Sequence, residues 1–167
     1  MPTPSPKPVV ARWVRLTFVD VFGTSNSVQL PARHFDDAVA HGAMFDGSSL
    51  QGRARALEAD MLLRPDPATL FSRGDVGRVS CTVCTPDGTP WPADPRTALV
   101  GLLATEGPVG DLAAAWTSAA ELELYLLEDG HPIDRSSYFD DYEGRGMQVI
   151  RRASDELIGA GLDVVSC

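Results

Sequence analysis

The chain has 167 residues, 44% of them hydrophobic and 22% charged, enough for one ordinary folded domain or one small domain with part of another. Its 14 basic and 23 acidic residues leave a net charge of −9, which argues against a phosphate-reading basic face and so against nucleic acid as a partner. No apolar run approaches the ~20 residues that cross a bilayer, so no membrane partner is expected.

Residues 1–10, Met-Pro-Thr-Pro-Ser-Pro-Lys-Pro-Val-Val, place Pro at every second position up to Pro8. That pattern removes backbone donors and fixes φ, so it predicts an extended or disordered tail. The tail lacks the apolar core and cleavage site of a secretory leader, which makes the cytoplasm the expected location. Trp13, Val14, Leu16, Phe18 and Val21 then mark a strand over 11–20 by their alternation with polar residues. Gly23 and Asn26 signal a turn, and Ser27–Leu30 reads as the returning strand of a hairpin. Pro31–His41 predicts a helix that opens on Pro and stops at Gly42, with Phe35 and Val39 on its buried face.

Residues 44–52 are expected to form a loop, followed by strands at 56–63 and 76–84. Pro86–Pro95 is dense in Pro and Gly and sets the expected domain boundary. The first domain is therefore placed at 11–90, an α+β unit of hairpin, helix and further strands, and the second part at 91–167. In that second part Asp94 caps a helix whose first residue is Pro95, expected to end at Gly107-Pro108. Residues 119–128 alternate with period two and predict a strand, with Glu121 and Glu123 on one face and Leu122, Leu124 and Leu126 on the other. A helix over about 144–158 and a strand beginning at Leu162 complete the expectation.

Cys81 and Cys84 form a C-x-x-C pattern within a β-rich segment. Residues three apart on a strand point to opposite faces, so the two sulfurs should diverge. His34, His41 and His131 supply no second ligand pair at zinc spacing, and buried reduced thiols are expected.

The chemistry concentrates in two acidic signals. Met44-Phe-Asp-Gly-Ser-Ser49 holds Asp46 in a Gly/Ser segment, with Asp60 and then Arg64-Pro-Asp66 downstream. By residue chemistry alone Asp46 is a turn-capping residue before it is a ligand for a cation or amine. Glu121 and Glu123 share a side of their expected strand, as two oxygen donors for hard cations would, and equally as the solvated face of an amphipathic strand.

In their order these motifs resemble the N-terminal portion of the glutamine synthetase family. The resemblance rests on Val14-Arg-Leu-Thr-Phe-Val-Asp-Val-Phe-Gly23, Val28-Gln-Leu-Pro31, Met44-Phe-Asp-Gly-Ser-Ser49 and Asp60-Met-Leu-Leu-Arg-Pro-Asp66. It continues through Thr85–Trp91, Asp94-Pro-Arg96, Glu121-Leu-Glu-Leu-Tyr-Leu126 and Tyr138-Phe-Asp140. It implies an α+β fold, a β-grasp domain followed by an incomplete glutamine synthetase-type α/β catalytic domain. It further implies an ATP-dependent joining of ammonia or an amine to glutamate. Asp46, supported by Ser49, would bind and deprotonate ammonium, Asp60 would shape the same region between subunits, and Glu121 and Glu123 would bind metal.

The cofactors so implied are ATP and Mg2+ or Mn2+, in a site that another chain completes. The partner would be a further copy or a glutamine synthetase-like catalytic subunit, in a homo- or hetero-oligomer. Two carboxylates do not complete a metal cluster and there is no Gly-rich phosphate loop, so the chain alone is expected to be inactive. The alternative is a non-catalytic regulatory homologue that docks on a full-length synthetase or another ligase.

Overall fold

The computed structural model describes residues 11–50, 60–105, 121, 123–133, 141 and 143–165. The chain divides into two compact units, Met1–Trp116 and Thr117–Cys167. None of the described helices is long and apolar enough to cross a membrane.

In the first unit β1 (Trp13–Val19) runs antiparallel to β2 (Ser25–Pro31). Alternation along β1 buries Val14, Leu16 and Phe18 and leaves Trp13 and Val19 exposed. The connecting turn is tied by Asp20, whose Oδ1 accepts from the backbone N–H of Phe22 and of Thr24, both at 2.9 Å. Asn26 lies in β2 rather than in the turn, and its side-chain amide donates to the Thr24 carbonyl at 3.0 Å.

The helix expected from Pro31 begins later. Pro31 ends β2, Ala32–His34 form a 3-10 turn, and α1 spans Phe35–His41. Phe35 and Ala38 are its buried residues, with Val39 packed against the core in part. β3 (Ala43–Asp46) occupies the first half of the expected loop, and a 3-10 turn over Gly47–Ser49 follows. β4 (Asp60–Pro65) matches the later half of the expected strand, whose earlier residues lie outside those described. β5 (Phe71–Arg73) is too short for its alternation to be read from sequence, and it pairs with β6 (Val76–Cys84).

The sheet order is β2-β1-β6-β4-β3, with β5 also paired to β6. β1 and β6 are parallel; the other pairs are antiparallel. One face of the sheet contributes Val14, Leu16, Phe18, Met61, Leu63, Val79, Cys81 and Val83 to the core, closed by Phe35 of α1 and Leu50. Cys81 belongs to this cluster and Cys84 is buried outside it, both as free thiols, as opposite sides of one strand require. α2 (Pro95–Leu103) starts at a buried Asp94, whose Oδ2 accepts from the Thr97 N–H at 2.9 Å and from the Thr97 hydroxyl at 2.8 Å.

The second unit holds a short hairpin, β7 (Leu127–Glu128) and β8 (His131–Pro132), and α3 (Arg145–Gly159). Asp129 and Gly130 both have positive φ, the backbone of a tight hairpin turn. Arg145 pairs with Glu128, and Arg151 with Glu143. Two sequence expectations fail here. The described residues of 121–126 are not strand, and Leu162–Val165 are not strand either. Period-two alternation gives a segment a sided surface, but a strand exists only where a neighbour takes its hydrogen bonds. Tyr138-Phe-Asp140, the Pro-rich tail and Gly107-Pro108 lie outside the described residues.

Candidate functional site

The site begins with the reversal that carries α1 into β3. The Gly42 N–H donates to the Ala38 carbonyl at 2.8 Å, closing the helix. Gly42 then takes φ 80 and ψ 170, a conformation that side chains strongly disfavour. A Cβ there would lie 2.6 Å from Leu62 Cγ, so β3 lies close to β4 only because this residue has no side chain.

β3 buries Ala43 and Phe45 in part and exposes Met44 and Asp46. Phe45 stands against Phe18, ring centroids 5.1 Å apart and tilted by 47°, which holds the edge strand to the core. In the β3–β4 register Phe45 opposes Met61, and Asp46 directly opposes Asp60. Cβ atoms of such cross-strand partners are about 5 Å apart. Two carboxylates on consecutive strands are thereby set side by side, both exposed, Asp46 on β3 at the end of the sheet order and Asp60 on β4 next to it.

Asp46 also caps the 3-10 turn, its Oδ1 accepting from the Ser48 N–H at 2.9 Å. Hydrogen bonding by Ser48, through its side chain and then its backbone, holds the Asp46 carboxyl below the ordinary carboxylate range, with slight desolvation acting the other way. The residue supporting Asp46 is therefore Ser48. Ser49, expected in that role, is exposed and makes no hydrogen bond to it. The Asp-x-Ser turn spacing was the available signal. Leu50, 6% exposed, then plugs the chain back into the core, its N–H donating to the Gly47 carbonyl at 3.1 Å. Two adjacent carboxylates suit a cation, and an ammonium group can donate to both. With its pKa held down, Asp46 is charged at neutral pH, which makes it a better partner for a cation than an acceptor of its proton.

Glu121 and Glu123 receive no comparable support. Both are exposed and neither lies on a strand, so no sheet aligns their carboxylates. Among the described residues no group of three or more His, Cys, Asp or Glu side chains could hold a metal ion. A hard divalent cation takes about six oxygen ligands, so the described donors of this chain do not complete a Mg2+ or Mn2+ site by themselves. The two predicted pairs thus part: Asp46 and Asp60 are brought together by long-range pairing, whereas Glu121 and Glu123 have only their closeness in sequence.

Sequence reasoning missed one cavity. A cleft of about 480 Å³ opens where α2 meets the first unit's sheet, lined by Thr17, Val19, Ser25, Ser80, Arg96 and Leu99 among others. Arg96 Nη2 bonds Asp66 Oδ2 at 2.6 Å, and Asp66 Oδ1 accepts from the Ala68 N–H at 3.1 Å, so that charge is locally balanced. Burial pushes the Cys81 thiol beside the cleft up to about 12, with Arg96 opposing, so it is no nucleophile at neutral pH. None of Asp46, Ser49 and Asp60 lines this cleft.

Comparisons with known proteins converge on one family. Residues 10–86 match the family described as "Glutamine synthetase, beta-Grasp domain". The chain is 35% identical over 169 residues to glutamine synthetase from Mycobacterium tuberculosis strain H37Rv, covering 92% of this chain and 37% of the relative. It is 32% identical over 168 residues to the Thermus thermophilus glutamine synthetase, covering 92% of this chain and 38% of the relative. The chain therefore spans well under half the length of these curated relatives. Among solved structures it is similar to GmaS in complex with ADP, with a TM-score of 0.53, 31% identity, and coverage of 56% of this chain and 22% of the other. The cryo-EM glutamine synthetase of Plasmodium falciparum shares the fold, with a TM-score of 0.51 and 18% identity over 55% of this chain and 19% of the other.

Proposed function

Because the chain belongs to the glutamine synthetase family, with a β-grasp domain in an α+β fold, we propose that it serves an ATP-dependent ligase joining ammonia or an amine to a glutamate-type acid. The chain is inactive alone. It contributes the Asp46–Asp60 edge of its β-grasp domain to a composite site that a partner chain completes.

The observation that carries this reading is the cross-strand register of Asp46 with Asp60 on an exposed edge of the sheet. Both carboxylates face outward from a well-packed unit, where they are available to a neighbour. Their role follows from charge. They draw an ammonium or protonated amine to the mouth of the pocket and orient its N–H groups, and Asp46 stays ionised while doing so. Any loss of a proton from that cation goes to Asp46 or to a stronger base supplied across the interface. ATP and metal are held by the partner's residues, and no step is routed through Glu121 and Glu123.

The test is turnover of the assembled enzyme, purified with a catalytic glutamine synthetase-type subunit. Asp46→Ala is expected to reduce amide formation by roughly 100-fold or more while the mass of the assembly is unchanged. Undiminished turnover by an intact assembly carrying that substitution would overturn the proposal.

A further inference from the structure

Asp-Gly occurs three times in the chain, at Asp46-Gly47, Asp87-Gly88 and Asp129-Gly130. The dipeptide invites a backbone reaction, because glycine leaves its own peptide nitrogen without a shielding side chain. The Gly nitrogen attacks the Asp Cγ, and the amide proton leaves with the carboxyl hydroxyl as water. A five-membered succinimide results. Water then opens the ring. Addition at the Cγ carbonyl restores Asp, whereas addition at the main-chain carbonyl leaves isoaspartate, with the backbone rerouted through Cβ and Cγ. Water is lost and regained, so the mass is unchanged and no cofactor is needed.

The reaction requires a carboxyl free to turn onto the nitrogen and a nitrogen free to lose its proton. Two of the three sites are locked against it. Asp46 Oδ1 accepts from the Ser48 N–H at 2.9 Å, and Gly47 is buried. Asp87 Oδ1 accepts from the Thr85 hydroxyl at 2.5 Å and from the Thr89 N–H at 3.1 Å. The Gly88 N–H donates to the Thr85 carbonyl at 2.8 Å. Both carboxylates are turn acceptors whose bonds must break before they can move.

Asp129-Gly130 has neither lock. Both residues are exposed at the tip of the β7–β8 hairpin, with φ of 50 and 78. Asp129 is thus a non-glycine residue held in the left-handed region, where its Cβ is crowded. Among the described residues the Asp129 carboxyl accepts no hydrogen bond and the Gly130 N–H donates none. Each strand of the hairpin has two residues, and so short a pair is marginal in water.

We propose that Asp129 is the chain's site of isoaspartate formation, a spontaneous modification that the hydrogen bonds on Asp46 and Asp87 suppress at the other two. Isoaspartate lengthens the main chain within the turn, so Glu128 no longer matches His131 and the hairpin opens. The pairing of Glu128 with Arg145 loosens with it. The cap that orients Asp46 also shields it from the chemistry of its own sequence. The inference does not rest on any ligase activity.

The folded chain is held for weeks at neutral pH and body temperature, in parallel with chain unfolded in guanidinium chloride. Peptides covering the three sites are then compared by mass spectrometry. Isoaspartate gives a peptide of unchanged mass and shifted retention that resists Asp-specific cleavage at that residue. In the folded chain the yield at Asp129 is expected to exceed that at Asp46 or Asp87 by about tenfold, the ratio that one or two hydrogen bonds impose. In denaturant the three sites should react at similar rates. Equal yields at the three sites of the folded chain, a larger yield at Asp46 or Asp87, or a difference that survives unfolding would each overturn the inference.

Discussion

Asp46–Asp60 and Glu121–Glu123 are both carboxylate pairs expected from the sequence, yet the fold treats them differently. The first pair joins two consecutive strands, held by the Asp46↔Asp60 register and by Phe45 against Phe18. The second pair is two residues apart, exposed, and on no strand. Nearness in sequence brings two side chains close, but only a hydrogen-bonded neighbour fixes which way they point. The two units differ in the same way. Among the described residues of the first, nine side chains, Leu16 and Met61 among them, are essentially fully buried. In the second, Val149, Ile150, Leu157 and Ile158 of α3 remain exposed.

That contrast breaks most readily at Gly42. Gly42→Ala combines a backbone conformation strained for any side chain with a collision at Leu62. Urea unfolding should show a loss of about 3 kcal/mol. Loss below about 1 kcal/mol would mean that β3, and Asp46 with it, is not anchored by this reversal. A smaller effect is expected at the α2 start. Asp94→Ala removes the cap on Thr97 and should cost about 1 kcal/mol, because the buried Asp94 Oδ1 has no partner among the described residues and its removal offsets part of the loss. Asp94→Asn, which keeps a capping oxygen, should retain most of that stability in the same urea titration. The smallest effect belongs to the second pair. Glu121→Ala with Glu123→Ala should change stability by less than about 0.5 kcal/mol, as exposed positions do. A larger loss in thermal melts would show that these carboxylates are held after all.

Much of the first unit was legible because its signals are local. The Val14-Leu16-Phe18 alternation, the Asp94-Pro95 helix start and the long apolar β6 each report a period or a cap. Asp46 could be singled out from its Gly/Ser setting, but its support by Ser48 rather than Ser49 depends on where β3 ends and the 3-10 turn begins. Reading Pro31 as a helix start misplaced the boundary, since Pro also closes a strand at its N–H-free position. Of the strand expected at 119–128 only Leu127–Glu128 is strand among the described residues, for a deeper reason: alternation encodes a sided surface and carries no information about a partner.

By itself, then, the sequence determined the sidedness of the strands, the helix starts, the motif order that marks the family and the excess negative charge. Tertiary structure alone decided that Asp60 stands opposite Asp46, that Arg15 stands beside Arg78, and that Gly42 must lack a side chain. Each of these depends on register between segments distant in the chain. Register is set by the packing of a shared core, which no local pattern of residues contains.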